Sequence, residues 1–374
     1  MTALRVLVVT VVHTPLDARI HHRQIRALVD AGVEVTYAAP WEATGTDPGA
    51  VVDGVTTLDL PRAVGRRRLP ALRAARRLLR SVSPRTHDLV LLHDPELVVA
   101  TVGLRRLPPV VLDVHEDLVG SLPDRSWVPG ALRPVAARFA RALEAWAERR
   151  FHLLLAETAY RQRFSRSHPV VPNLPWLPAG DVPPAGSADR IVYVGRVSRF
   201  RGALDLVDVA RRLHAVGGPH LHVAGAADAD VRDALSAANG RGELTWHDYL
   251  PNDEALDLVR GAVAGLSLLH DVPNYRHSMP TKVVEYLSLG VPAVTTPLPL
   301  AKSLVEDTGA GVVVAFGDVD ATVAAVLGLA ADRDRAAAIG AAGREHVAEH
   351  LVWDVAAEDF VGHLRRWAAR EVAV

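Results

Sequence analysis

The chain contains no cysteine, and this absence excludes disulfide frameworks and thiolate metal sites. Aromatic residues make up only 5% of the sequence, and the formal net charge is −1. A chain with no basic surplus and few rings for stacking on bases does not fit nucleic-acid binding. The lack of cysteine also agrees with a cytoplasmic location, which is the location we expect.

Long apolar runs are missing as well. No stretch approaches the ~18–20 apolar residues that a membrane-spanning helix needs. The N-terminal sequence MTALRVLVVTVV is too short and too polar at its flanks for a signal peptide, and it predicts a buried strand. Only two lysines are present, Lys282 and Lys302, so arginine supplies nearly all of the positive charge. Lys282 therefore stands out in an arginine-biased chain.

What is present is enough apolar sequence for two domains. The length of 374 residues exceeds one typical domain, and the 49% hydrophobic content excludes a disordered chain. Strand-like apolar runs alternate with helical segments such as Ile20–Ala31 and Leu132–Arg150, which predicts parallel sheets with crossover helices. The predicted strands fall into a first set, Arg5–Val12, Glu34–Ala38, Leu89–Leu92 and Val110–Val114, and a second set, Arg190–Val194, Leu221–Ala224, Gly265–Leu269, Val291–Thr295 and Gly311–Val314.

Two successive sets of this kind predict an α/β protein with two Rossmann-like domains. A single (β/α)₈ barrel stays open as an alternative, although it usually needs only ~250 residues. The proline-rich stretch Val170–Ala188 is the best candidate for a linker. We therefore predict domains at residues 1–172 and 173–354, followed by an amphipathic helical tail over His350–Arg370.

The segment from Asn274 to Thr296 carries the most chemical information. It predicts a loop, a short helix that opens at Pro280–Thr281, and a helix stop at Gly290. Thr281 is the expected N-cap, and a helix start with Lys282 beside it suits an anion such as a diphosphate. Glu285, one turn further on, could accept the two hydroxyls of a ribose. The alternative is an ordinary capped helix with a lysine and a glutamate on its surface.

This segment resembles the donor-binding signature of retaining glycosyltransferases of family 4 (glycosyl transferases group 1), in the variant P-N-K-x-x-E-Y-x-x-x-G-x-P-V. The resemblance implies a GT-B fold, in which two Rossmann-like βαβ domains face a central cleft. Residues 1–172 would then bind the acceptor and residues 173–354 the donor. A last helix, about 355–374, would pack back on the first domain. Much of the family carries a second glutamate where this chain has His277, so the resemblance leaves the sugar open.

Two further elements of the second domain extend the resemblance. Gly195 and Arg196 end a predicted strand and resemble a G-R-x-x-x-x-K-G motif that grips the diphosphate, with Arg201 in place of the lysine. The alternative is two solvated arginines. The loop at Tyr249 and Leu250 resembles the one that frames the base. The expected donor-binding residues are Gly195, Arg196, Arg201, Tyr249, Leu250, His277, Ser278, Met279, Pro280, Thr281, Lys282 and Glu285.

In the first domain, His115 follows a predicted strand and matches a V-H-[GDE] element, with Glu116 next to it. The resemblance implies that this histidine lies near the transferred sugar and the acceptor. His93 belongs to an H-x-P element that would line the same site. Asp17 and Arg19 form a D-x-R-I stretch, and they would pair with each other, contact the acceptor, or do neither. A core histidine and a structural turn remain the alternatives for His115 and His93.

The stretch Arg62–Arg85 contains nine arginines and no acid. Many members of the resembling family touch a membrane through a basic amphipathic helix in this region, which would place the protein at the inner face of the membrane. A solvated basic face is the equal alternative.

The sequence thus predicts a retaining, hexosyltransferase-type enzyme that moves a sugar from a nucleotide diphosphate sugar to a hydroxyl on a glycan, lipid or small molecule. A UDP-sugar is the expected donor because uridine is the commonest base in the resembling family. The expected catalytic residues are His115, Arg196 and Lys282, and we expect no metal and no cofactor. An epimerase or hydrolase of the same fold and a non-catalytic nucleotide-binding protein remain alternatives. The sequence does not indicate an oligomeric state.

Overall fold

The computed structural model describes residues 3–120, 130–178 and 180–370, which form two α/β units. The first unit comprises Met1–Asn173 with Asp354–Val374, and the second comprises Leu174–Trp353. Within the described residues each unit is built on one six-stranded, parallel sheet. The predicted two-sheet α/β architecture is confirmed, and the single-barrel alternative is wrong because both sheets are open.

The sheet of the first unit has the strand order β3-β2-β1-β4-β5-β6. Its strands are β1 Arg5–Val9, β2 Glu34–Ala39, β3 Thr56–Asp59, β4 Leu89–Leu92, β5 Val110–Val114 and β6 His152–Leu155. The α-helices of this unit are α1 Arg26–Asp30, α2 Trp41–Thr44, α3 Arg68–Ser81, α4 Pro95–Ala100, α5 Arg133–Arg150 and, from the end of the chain, α13 Trp353–Arg370. The strand order reverses between β1 and β4, and such a reversal leaves a crevice at the carboxyl ends of the two strands.

The sheet of the second unit has the strand order β12-β11-β10-β7-β8-β9. Its strands are β7 Arg190–Val194, β8 His220–Ala224, β9 Leu244–Trp246, β10 Ala264–Ser267, β11 Ala293–Thr295 and β12 Gly311–Val313. Its helices are α6 Ala203–Ala215, α7 Ala229–Gly240, α8 Asn252–Val259, α9 Thr281–Ser288, α10 Pro299–Thr308, α11 Val319–Ala331 and α12 Arg333–His350. Here the order reverses between β7 and β10, which places a second crevice beside the start of α9.

Three predicted elements differ from the observed ones for local reasons. Strand β1 ends at Val9 because the following backbone N–H groups turn to a side chain of another loop, described below. The predicted helix Ile20–Ala31 begins as a π-helical turn, Ile20–Ile25, before α1. The helical tail predicted over His350–Arg370 is α13, which begins at Trp353 because α12 ends at His350.

The last helix packs on the first unit. Phe360 and Leu364 are fully buried, and the Trp367 ring stacks on His152 with 4.6 Å between ring centroids. The Arg365 guanidinium donates a 2.7 Å hydrogen bond to the Ala31 carbonyl. Residues 371–374, the end of the predicted segment, lie outside the described residues. In the described part of the chain, no helix has the length and apolar character needed to cross a bilayer.

Candidate functional site

Lys282 is the central group at the carboxyl edge of the second sheet. It lies in the first turn of α9 with only 6% of its surface exposed. Its Nζ has no hydrogen-bond partner among the described residues, and it sits 3.5 Å from the centroid of the Tyr193 ring. Burial holds the pKa of Lys282 well below its usual range, and the nearby Arg201 charge lowers it further, whereas Glu285 opposes this shift. A buried amine of this kind suits an anionic oxygen, because such a ligand would stabilise the charged form.

Gly195 lets the backbone come close to this amine. It follows β7 with a φ of +113°, which disfavours any residue with a side chain. A Cβ built at Gly195 would lie 3.8 Å from Cε and Nζ of Lys282. The neighbouring loop after β8 touches the same point, since a Cβ at Gly225 would lie 2.0 Å from the Gly195 carbonyl oxygen. The two glycines therefore bring two loops together beside the amine.

The two predicted phosphate-binding arginines differ from each other. Arg201 is near enough to Lys282 to lower its pKa, and its guanidinium carbon lies 5.9 Å from the centroid of the Tyr275 ring. Arg196 is an exposed side chain whose Nε and NH2 donate to the two carboxylate oxygens of Asp228, at 2.8 and 3.0 Å. Arg201 thus lies close to Lys282. Arg196 must break its pair with Asp228 before its two N–H groups can bind a phosphate.

Helix α9 is fixed to the sheet by Tyr286. The Tyr286 hydroxyl accepts a hydrogen bond from Val194 N at 3.0 Å and donates one to the Leu266 carbonyl at 3.2 Å, so the helix is joined to both β7 and β10. A Cβ at Gly265 would come within 2.2 Å of the Tyr286 ring, so the ring needs a glycine beneath it. The signature contains Tyr286, but the sequence indicated no role for this residue. Its positioning of Lys282 is visible only in the structure.

The prediction that Thr281 is the N-cap is wrong. Pro280 occupies the cap position, makes no side-chain cap hydrogen bond, and leaves Thr281 as the first helical residue. The first-turn N–H groups of α9 are consequently not covered by a capping hydroxyl, which suits the anion site better than the predicted cap. Glu285 is buried, with 9% of its surface exposed, three residues after Lys282 on the same helix.

The remaining predicted donor residues surround this group less closely. His277 is exposed, and the Ser278 hydroxyl donates to the Asn274 carbonyl at 3.3 Å. Met279 packs against the apolar cluster behind α9. Tyr249 is 54% exposed, and Leu250 is partly buried.

Asp113, the second-last residue of β5, is the central group of the first unit. Its carboxylate accepts two 2.7 Å hydrogen bonds from the Arg19 guanidinium and a 3.1 Å bond from the Gln24 amide. Nδ1 of His93 lies 3.2 Å from it, and Nδ1 of His115 lies 3.4 Å away. Burial alone would raise the pKa of Asp113, but Arg19 and the histidines hold it well below its usual range. A charged carboxylate therefore lies within 3.4 Å of a ring nitrogen of both predicted histidines.

Of the alternatives left open for Asp17 and Arg19, a pairing of their two side chains is not observed. Arg19 pairs with Asp113 instead, and its NH2 also donates to the Val171 carbonyl at 3.0 Å. Asp17 accepts the backbone N–H groups of Arg19 and Ile20, at 2.8 and 3.0 Å, and so closes the turn before the π-helical segment.

Sequence reasoning missed three residues of this site: Asp94, Asp113 and His13. One oxygen of the buried Asp94 accepts hydrogen bonds from Thr10 Oγ1, Val11 N and Val12 N at 3.0, 2.5 and 3.2 Å, which ties the loop after β1 to the one after β4. The sequence could have indicated these three residues by their position, because each lies at or just beyond the carboxyl end of a strand. Glu116, which was predicted, is exposed.

His93, Asp113 and His115 are residue types that could ligate a metal, and their ligand atoms lie within 4.8 Å of one another. Both oxygens of Asp113, however, already accept hydrogen bonds from Arg19. A metal cation there would sit beside a buried guanidinium of the same charge sign. We therefore assign the three residues to a hydrogen-bonding and ion-pair network.

Comparisons with known proteins agree with this architecture. Residues 188–332 match the family model of glycosyl transferases group 1. A GDP-mannose-dependent alpha-(1-6)-phosphatidylinositol monomannoside mannosyltransferase of Mycobacterium tuberculosis is 33% identical over 167 residues, which are 42% of this chain and 40% of the relative. The match thus spans well under half of the relative's length.

Two solved structures resemble the whole chain in fold. The sucrose-phosphate synthase of Thermosynechococcus elongatus has a TM-score of 0.74 at 16% identity, covering 99% of this chain and 100% of that one. Anabaena HepE, solved in complex with UDP-glucose, has a TM-score of 0.70 at 14% identity, covering 97% and 100%. Together with the two parallel sheets, these likenesses show that the chain has the GT-B fold, and residues 188–332 are similar to glycosyl transferases group 1.

Proposed function

We propose that the protein transfers a sugar from a nucleoside diphosphate sugar to an acceptor hydroxyl with retention of the anomeric configuration. The observation that carries this proposal is the Lys282 amine, which is buried and has no hydrogen-bond partner in the described chain. It stands at the start of a helix, beside the Gly195 backbone, in the part of the chain that matches the glycosyl transferases group 1 model. An anionic group that binds there would remove the cost of the buried amine.

The donor diphosphate would lie against Lys282, Arg201 and the first-turn N–H groups of α9. When the bond between the anomeric carbon and the diphosphate oxygen breaks, both electrons go to that oxygen. Fixed positive groups aimed at the developing charge lower the barrier, and they do so strongly in a site that excludes water. Glu285 would accept the ribose hydroxyls, since a carboxylate can accept both at once. No step in this scheme requires a metal ion.

The first unit would bind the acceptor. His115 is oriented by Asp113, and an acceptor hydroxyl would bond to its Nε2 by replacing the 3.0 Å contact of that nitrogen with His13 Nε2. We propose that the acceptor oxygen attacks on the face from which the diphosphate departs, and that the acceptor's proton passes to the departing diphosphate oxygen, because this accounts for retention without a covalent enzyme intermediate.

The base of the donor needs its own test, because the relatives disagree. The curated relative is named for GDP-mannose, whereas one solved neighbour was crystallised with UDP-glucose. The sequence alone favoured UDP as the commonest base. We propose GDP-mannose and UDP-glucose as the first two donors to compare, each with its free nucleotide.

A thermal-shift panel of UDP, GDP, ADP, dTDP and their common sugars makes that comparison directly. A ligand at ~100 times its dissociation constant adds about 2.7 kcal/mol to the free energy of unfolding, which gives a clear melting shift. A shift selective for one base identifies the donor. Donor that is consumed without any acceptor would favour the hydrolase or epimerase alternative. No shift from any nucleotide would contradict the proposal.

Contact with a membrane surface is a separate proposal, for helix α3. Its Ala71, Ala75 and Leu79 are buried against the sheet, so its other face is exposed. That face carries Leu69, which is 62% exposed, and the exposed arginines Arg73, Arg77 and Arg80. An apolar residue among arginines favours an anionic lipid surface.

Vesicle sedimentation tests this contact. The protein should sediment with vesicles that contain anionic lipid and not with neutral ones, and R73E/R77E should abolish the binding. If the wild type and R73E/R77E sediment equally with anionic vesicles, the arginines do not bind lipid and form only a solvated face.

A further inference from the structure

The rings of His13 and His115 meet at hydrogen-bond distance in the first unit. Their Nε2 atoms are 3.0 Å apart, and the ring planes are inclined by 59°. At this distance one nitrogen must carry a proton and the other must offer a lone pair, because two N–H groups or two lone pairs would repel each other.

The opposite nitrogens determine which ring donates. Nδ1 of His115 lies 3.1 Å from the Asp113 carbonyl oxygen and 3.4 Å from its carboxylate. Both of these groups are acceptors, so Nδ1 of His115 carries the proton and a neutral His115 has its lone pair on Nε2.

His13 faces carboxylates from both of its nitrogens. Its Nδ1 is 3.5 Å from Asp17, and its Nε2 is 3.4 Å from Asp94. Burial alone would lower the pKa of His13, but Asp17, Asp94 and Glu116 raise it to about 10. His13 is therefore an imidazolium at neutral pH, and the hydrogen bond runs from His13 to His115.

We propose that His13 and His115 share one proton as a charged pair, with His13 as the cation and His115 as the acceptor, and that a substrate hydroxyl binds by contacting both rings. A hydroxyl can donate to the His115 lone pair and accept from the His13 N–H at the same time, so it can replace the bond between the rings. His13 is then a further substrate-contacting residue. Its role in turnover rests on the proposed transferase function, whereas the shared proton does not.

The charged groups around the pair explain why the cation stays on one side. Asp113 already pairs with Arg19, and burial lowers the pKa of His93. His13, with about a fifth of its side chain exposed, stands at the solvent side next to Asp17. Substrate can therefore reach the charged ring without passing the buried network.

The pH dependence follows from the direction of the shift. The pKa of His13 is raised above its unfolded value of ~6.5, so its contribution to stability is complete below that pH and is lost as the pH rises toward 10. D17N removes the nearest carboxylate, so it should lower the pKa of His13 and bring this loss closer to neutral pH.

Nitrogen NMR of ¹⁵N-histidine-labelled protein tests the shared proton without any substrate. H13Q and H115Q assign the two rings by the signals that they remove. At pH 8 we expect His13 to be doubly protonated and His115 to be neutral with its proton on Nδ1, and we expect D17N to shift the titration of His13 to lower pH. A neutral His13 at pH 8, or a His115 with its proton on Nε2, would overturn the pair.

Donor turnover tests the contact with substrate. D17N should add a fall in kcat on the alkaline side that the wild type lacks over the same range, and D17E should restore the wild-type profile. If D17N shifts the NMR titration but leaves the kcat profile unchanged, His13 does not contact substrate. If NMR shows the pair but the wild type turns over no donor, the proposed function fails and the shared proton stands. If donor turns over while His13 is neutral, only the pair fails.

Discussion

Each unit buries a charged side chain, and the two charges differ in whether they have hydrogen-bond partners. In the first, the Asp113 carboxylate is surrounded by donors, with Arg19 and Gln24 bonded to it and two histidines beside it. In the second, the Lys282 amine is just as deeply placed but has only an aromatic face at 3.5 Å and no hydrogen-bond partner in the described chain. A satisfied charge holds its neighbours in position, whereas an unsatisfied one is prepared for a ligand. The contrast separates a positioning network from a binding group.

The largest expected effect on stability comes from replacing Asp113. D113N should destabilise the protein by about 3–5 kcal/mol, because it leaves the buried Arg19 guanidinium without its counter-charge. Urea unfolding followed by circular dichroism measures this loss. D88N is a suitable control, since about a third of the Asp88 side chain and of its partner Arg5 is exposed, so the loss should be smaller than that of D113N. Equal losses for the two variants would contradict the comparison.

Replacing Lys282 should not destabilise the protein. K282M should leave the free energy of unfolding unchanged or raise it by up to about 2 kcal/mol, because methionine fills a similar volume without burying an amine. The same unfolding measurement checks this. A clear destabilisation would mean that Lys282 has a structural partner and is not reserved for a ligand.

The two sites should also differ in how binding depends on pH. The pKa of Lys282 is lowered in the free protein, and a bound diphosphate should raise it, so binding should take up a proton and weaken as the pH increases. Calorimetry in buffers of different ionisation enthalpy measures this uptake. K282M should abolish it. Proton release, or an uptake that persists in K282M, would place the titrating group elsewhere.

The smallest effect is expected at Arg196. Its pair with Asp228 is exposed, so R196A should change stability by less than about 1 kcal/mol. Nucleotide affinity should fall less than in K282M, because Arg196 must break its pair before it can contact a phosphate. A loss of affinity as large as that of K282M would make Arg196 the equal of the buried lysine.

The sequence predicted the architecture well because strand-forming runs and their alternation with helices depend on local patterns. Leu89–Leu92, Val110–Val114 and Arg190–Val194 were predicted with their observed bounds. Strands β3, β6 and β9, of three or four residues each, gave no such pattern and were missed. Strands β3 and β9 are not continuously apolar, since threonine and aspartate stand in β3 and threonine in β9, and β6 follows α5 after a single residue with no turn signal between them.

The chemistry of the sites could be predicted only in part. Lys282 and His115 stood in recognisable motifs, and both lie at the carboxyl edges of their sheets. The partner of Arg19, however, lies 94 residues away, and that of His13 lies 102 residues away. Such pairings arise from the strand order and not from any local spacing. For the same reason, the sequence left open whether Asp17 and Arg19 pair with each other, contact the acceptor, or do neither.

Calorimetric titration with a nucleoside diphosphate is the most direct test of the central claim that Lys282 is the diphosphate anchor. It requires the wild type, K282M and K302M, since Lys302 is the other lysine of the chain and lies exposed in a pair with Glu306. We predict that K302M binds like the wild type and that K282M binds about 10–100 times more weakly, a loss of about 1.4–2.8 kcal/mol. Unchanged affinity in K282M would contradict the account.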